Sequence, residues 1–346
     1  MKIFFFSLQV LLLLSFLVSC TSSQRTELYY NKSFDEISHI AYEKNKNFCV
    51  VLLDSTQRAS QSYQQRLENK KLEKNVIYNL AYLNHSINEW YEKWLCPIYL
   101  PTTCVFSSNG TLIDLIPGGT KEAFLYTAKA LDETITTQYH YANHFKIDKS
   151  TLIPLLDKVL KSKIDLEHGV YSGLIDSIVN TLHYPYVYYI KMIGEMINND
   201  STNALSTAKD MIRLETPSYL ELYKSEFITA KKIINPNFNI ADEPTIRVNE
   251  DVITLSDVKN GGERPFNITI HNDGEQQLKI SNIIKSCSCL ELDSINSSFI
   301  VPPKDSIQIN FIFRAEQQGE IIRDIFIASN GINKPILYIQ VLANVM

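Results

Sequence analysis

The apolar residues of this chain change period once, and that change limits the folds open to it. Ahead of Asn235-Pro236-Asn237 and Asp242-Glu243-Pro244 they recur at helical spacing or gather in continuous runs. Beyond that linker they alternate, as in Phe266, Ile268 and Ile270 or Leu278 and Ile280. A period of two builds one face of a strand, and a period near 3.6 builds one face of a helix. The expected fold class is therefore multidomain, α/β plus all-β. A length of 346 residues accommodates two or three domains, and a hydrophobic share of 45% against 21% charged supplies real cores. A net charge of -5 without a basic block argues against a nucleic-acid partner.

The N-terminus reads as an export signal. A short start containing Lys2 leads into an apolar run from Phe4 to Val18 that ends in small residues at Ser19-Cys20. Leu17-Val18-Ser19-Cys20 resembles the lipobox of bacterial lipoproteins. The resemblance implies a signal peptide over 1–19, a multiply acylated Cys20 (palmitate among its chains) as the mature N-terminus, and a polar tether over 20–33. The run is short for a membrane span of about 20 residues. The absence of an acidic residue behind Cys20 points to the outer membrane, facing the periplasm.

Residues 34–140 read as strand, helix, strand, helix, hairpin, helix. Phe48 to Leu53 is an unbroken apolar run suited to a strand buried on both faces. Leu100-Pro101-Thr102 enters a further strand, Asn109-Gly110 marks a hairpin turn, and Gly118-Gly119 leads to a last helix. This order, with Pro101 as the candidate cis-proline, resembles the thioredoxin fold. That family carries Cys-x-x-Cys at the turn after its first core strand. Here the matching turn is Thr56-Gln57-Arg58-Ala59-Ser60, with Gln57 and Ser60 in the two cysteine positions. Neither residue is a thiol nucleophile, so dithiol exchange by that motif is excluded.

Residues 141–240 read as a helical segment with helices expected near 152–161, 173–182, 187–198, 203–214 and 219–234. Tyr184-Pro185-Tyr186-Val187-Tyr188-Tyr189 could line a groove but suits core packing better. His140 and His144 stand i, i+4 apart without the intervening Glu of a zincin.

Residues 245–346 read as short strands of an all-β sandwich. Phe266-x-Ile268-x-Ile270-x-Asn272-x-Gly274, Ser286-Cys287-Ser288-Cys289, Val301-Pro302-Pro303-Lys304 and Ser329-Asn330 carry a closer resemblance. They are similar to the bacterial family called domain of unknown function 1573, an immunoglobulin-like sandwich. The family commonly reads Cys-Gly-Cys-Thr, where this chain has Ser288 and Leu290. Pro303 stands in place of the Gly of a Pro-Gly turn, so that turn takes another form.

With Cys20 removed, five cysteines remain, an odd number. Cys49 and Cys104 lie on neighbouring strands of the expected sheet and read as buried small apolar groups, with a cross-strand disulfide as the other option. Cys96, before Pro97, is the thiol expected to be partly exposed. On a strand, Cys287 and Cys289 would share a face, and a mutual disulfide would be strained and easily reduced. They are expected as packed small groups; redox chemistry or a soft cation such as Cu(I) is the alternative. The functional expectation is a lipid-anchored envelope protein with a non-catalytic binding or assembly role and a protein partner. No catalytic residue, cofactor or committed metal site is expected.

Overall fold

The structure, a computed structural model, describes residues 26–69, 76–293 and 297–346. The expected signal peptide and Cys20 lie outside the described residues. The chain divides into two compact units, residues 1–157 and 158–346. The division falls inside the helix Lys149–Glu167.

In the first unit, β1 (Glu27–Tyr30) lies within the stretch read as tether. A strand forms there because β1 pairs in parallel with β3 (Ile77–Tyr82), an interaction with no local signature. Helix α1 (Phe34–Glu43) is closed by a capping box between Ser33 and Glu36. β2 (Phe48–Leu53) is buried along its whole length, as a central strand without alternation requires. Then follow α2 (Arg58–Asn69), α3 (Glu89–Leu95), β4 (Thr102–Phe106), β5 (Leu112–Pro117) and α4 (Lys121–Glu133). Among the described residues the sheet order is β1-β3-β2-β4-β5, parallel from β1 to β2 and antiparallel beyond. The Leu100–Pro101 bond is cis. Gly110 takes the positive φ of 78° that the hairpin turn needs.

α5 (Lys149–Glu167) spans the division between units. In the second unit the helix expected near 173–182 is only a 3₁₀ turn, Leu174–Ser177. The helix expected over 219–234 is two, α8 (Pro217–Leu222) and α9 (Lys224–Ile234), parted at Tyr223. α6 (Pro185–Ile197) and α7 (Ser201–Ile212) precede them; Asp200 caps α7 by accepting from the Asn203 amide.

The sandwich packs two sheets. One contains β6 (Ile246–Val248), β8 (Glu263–Asn272), β10 (Leu290–Leu292) and β12 (Ser306–Arg314), in the order β10-β12-β8-β6. The other contains β7 (Val252–Val258), β9 (Leu278–Lys285), β11 (Phe299–Val301), β13 (Gly319–Ser329) and β14 (Ile336–Val345), in the order β11-β9-β13-β14-β7. Ile268, Ile270, Phe311, Phe313, Ile325, Ile327 and Ile339 alternate into one core. Asn272 is fully buried and gives its amide hydrogens to the carbonyls of Gln276 (2.7 Å), Val301 and Pro302 (each 3.1 Å), binding two turns together. A side chain on Gly274 would run into the Glu243–Pro244 backbone, so the Asn272-x-Gly274 spacing is a packing requirement. At the altered Pro302-Pro303 turn, Lys304 takes a left-handed φ of 57°.

Candidate functional site

The turn from β2 into α2 carries no thiol. Ser60 is buried, and its Oγ accepts the Asp54 amide at 3.1 Å. Gln57 donates through Nε2 to Asp54 Oδ2 at 3.0 Å. Asp54 also accepts from the hydroxyl and amide of Thr56, at 2.7 and 2.8 Å. These bonds, the Thr56 hydroxyl first, hold the Asp54 carboxyl below the usual range.

Two clefts meet beside this turn. One, about 510 Å3, is lined by Tyr63, Arg66, Tyr99, Pro101 and Gly119. Tyr63 closes its floor, with its hydroxyl 2.7 Å from Thr103 Oγ1. Gly119 is required there, because a Cβ would stand 2.6 Å from the Tyr63 ring. Arg66 donates to the Gly119 carbonyl. The second, about 470 Å3, shares Tyr99 and Leu100 and is lined by Asp54, Gln57 and Glu92. Glu92 is exposed over part of its surface, but the protein around it desolvates its carboxyl and pushes it up, with the Asp54 charge adding. Tyr99, at 60% exposure, stands between an apolar cleft with a basic edge and an acidic one.

The cysteines fall into two groups. Cys49 pairs opposite Val105 and Cys104 opposite Val50, so the register sends the two thiols to opposite faces of the sheet and no cross-strand disulfide forms. Both are fully buried, and burial raises both thiols. Cys96 is half-buried at the end of α3, in a left-handed conformation with φ 43°.

Cys287 and Cys289 depart from the expectation. They do not lie on a strand but in the turn between β9 and β10, and they form a disulfide. An extended chain would hold residues i and i+2 about 6.7 Å apart. The turn brings the Cα atoms to 5.2 Å, inside the range a disulfide bridges. The turn is tied to β13 by Ser286, whose amide donates to the Asp324 carbonyl (2.9 Å) and whose hydroxyl accepts the Asp324 amide (2.8 Å). Cys289 is 3% exposed and part of the sandwich core, whereas Cys287 is half-buried at its margin. The Nε of Arg323 on β13 donates to Cys289 Sγ at 3.2 Å. Sequence reasoning missed Arg323, which lies 34 residues from Cys289 and has no local signal linking it to the pair.

The remaining candidates come to less. His140 and His144 are exposed on irregular chain, so their spacing gives them no common helix face. Tyr184, Tyr186 and Tyr188 are buried, with Tyr184 and Tyr186 against Tyr223, as core packing requires. Among the described residues no cluster of three or more His, Cys, Asp or Glu is placed to hold a metal ion, and no helix is long and apolar enough to cross a membrane.

Comparison with known proteins places the second unit's sandwich. Residues 246–345 match the family described as "Protein of unknown function (DUF1573)". No curated protein matches the chain. Among solved structures, a protein of unknown function from Porphyromonas gingivalis W83 is similar at 19% identity over 32% of this chain and 50% of that one, with a TM-score of 0.27. The chain thus spans half of that protein. The ASH/PapD-like domain 7 of human CEP192 aligns at 9% identity over 32% of this chain and 89% of the domain, TM-score 0.27. WR4, an MSP family member of C. elegans, aligns at 10% identity over 30% of this chain and 98% of its own, TM-score 0.22. Residues 246–345 thus match the DUF1573 family model, and the structure builds them as a two-sheet β-sandwich.

Proposed function

We propose that this is a lipid-anchored protein of the bacterial cell envelope, held by Cys20 to the outer membrane facing the periplasm, that binds a polypeptide partner without catalysing a reaction on it. In this reading the first unit is a thioredoxin-like domain turned from chemistry to binding. The observation that carries the reading is the pairing of a thiol-free turn with an open double cleft. Gln57 and Ser60 are spent on bonds to Asp54, while the exposed ring of Tyr99 separates an apolar slot from the Asp54/Glu92 side. An extended segment with an apolar residue followed by a basic one fits both halves, because the apolar side chain leaves water and the cation meets two carboxylates.

The test places a photocrosslinking amino acid at Tyr99 of the full-length protein in its native envelope, with the same probe at Leu125, exposed on α4, as reference. A discrete adduct from position 99, absent from 125 and weakened by Glu92→Gln, is the expected result. Equal labelling at both positions, or none at 99, would overturn the reading.

A further inference from the structure

We propose that the Cys287–Cys289 disulfide undergoes thiol–disulfide exchange with a dithiol-bearing polypeptide, with Cys287 as the sulfur attacked and Cys289 as the leaving thiolate that Arg323 stabilises. This inference concerns the sandwich alone and does not rest on the binding reading of the first unit. Three observations carry it. The pair is closed across a single intervening residue at an edge turn, so opening it disturbs little else; this is unlike a bridge that staples distant strands. The sulfurs are unequal in access: Cys287 stands at the margin, while Cys289 is 3% exposed within the core. Finally, a guanidinium Nε–H is aimed at the buried sulfur at 3.2 Å. A disulfide sulfur is a weak acceptor and returns little for that donor. A thiolate in the same place carries a full negative charge, which the guanidinium stabilises more strongly in a site sheltered from water.

The exchange balances. A partner thiolate attacks Sγ of Cys287, forming one S–S bond as the Cys287–Cys289 bond breaks. The electron pair of the broken bond stays on Cys289 as a thiolate beside Arg323. The partner's second thiol, as thiolate, then attacks the partner's first sulfur in the mixed disulfide; that sulfur's bond to Cys287 breaks, releasing Cys287 as a thiolate, which takes up a proton. The partner's two thiols are oxidised to a disulfide and the Cys287/Cys289 pair is reduced by two electrons. Exchange with a disulfide-bearing donor runs the same steps in reverse.

The test uses the full-length protein in detergent and reduced glutathione as the attacking thiol, at fixed pH, with acid quench, alkylation and peptide mass spectrometry. Opening of the pair under native conditions is expected. The glutathione adduct caught by quenching wild-type protein during opening is expected on Cys287, and Cys289→Ser protein should take up oxidised glutathione faster than Cys287→Ser protein. Because leaving-group pKa sets the rate, Arg323→Gln should slow opening by about three- to tenfold, with Arg323→Lys in between. Thiolate absorbance near 240 nm after reduction, relative to the Cys287→Ser/Cys289→Ser protein, should fall in Arg323→Gln; a purely structural arginine would not move it. Thermal unfolding checks that the variants are folded. A pair that opens only on denaturation, an Arg323→Gln protein that exchanges at the wild-type rate, or a reduced pair that takes up Cu(I) but does not exchange would each overturn the proposal.

Discussion

Asp114 shows how a single charged residue is kept inside the first unit. It lies on β5, fully buried, with Lys149 Nζ 2.5 Å from one carboxylate oxygen and the Thr137 hydroxyl (2.6 Å) and amide (3.0 Å) on the other. Burial pushes the Lys149 ammonium down, and Asp114 opposes that. Removing one member of such a pair leaves a charge without its partner, so Asp114→Ala should lose about 3–5 kcal/mol, whereas replacing both by apolar residues should lose much less. Both tryptophans, Trp90 and Trp94, lie in this unit, so urea unfolding followed by tryptophan fluorescence reads it selectively. The cysteine thiols differ at the same scale. Cys49 and Cys104 are raised by burial and inert; Cys287 stands at the margin of the sandwich, bonded to a buried Cys289 that faces the Arg323 guanidinium.

Elements form here where local signals and packing agree, and they shift where the two part. At α1 they agree. The Ser33 hydroxyl accepts from the Glu36 amide, the Glu36 carboxylate accepts from the Ser33 amide at 2.9 Å, and Phe34, Ile37 and Ala41 face inward. Ser33→Ala should cost about 1 kcal/mol, measured as a loss of unfolding free energy by the same tryptophan signal. They part at 174–177, where the residues read as a full helix but only a 3₁₀ turn forms, opening at Gly173 with its φ of 69°. β1 is the opposite case: four residues without a strand pattern of their own become an edge strand because β3 offers a parallel partner. The turn between β9 and β10 belongs here too. β9 ends at Lys285, and Ser286 bonds to β13 where the chain turns away.

At the scale of the whole molecule, the roles proposed above fall to two units and to the proposed N-terminal anchor. Replacing Cys20 by Ser should move the protein from the membrane fraction to the soluble one, and mass spectrometry should find acyl chains on Cys20 only in the parent protein. A Cys20→Ser protein that stays in the membrane fraction would remove the anchor from the proposal. The two functional tests also separate at this scale. Loss of the Tyr99 adduct with exchange intact, or the converse, would assign binding to one unit and thiol chemistry to the other.

The sequence alone determined what depends on near neighbours. The switch to period two after Pro244 announced the sandwich because alternate side chains of a strand share a face whatever the strand pairs with. Asn109-Gly110 announced its hairpin because glycine alone takes that φ without cost. Gln57 and Ser60 ruled out dithiol chemistry at their turn by identity alone. Tertiary structure decided what depends on register and on distant partners. It sent Cys49 and Cys104 to opposite faces, because β2 and β4 pair with Cys49 opposite Val105. It closed Cys287 onto Cys289 and set Arg323 beside them, because β13 lies against β9. Pairing between strands far apart in the chain is stabilised by burying their joint surface, and no local period of residues encodes which pair will meet.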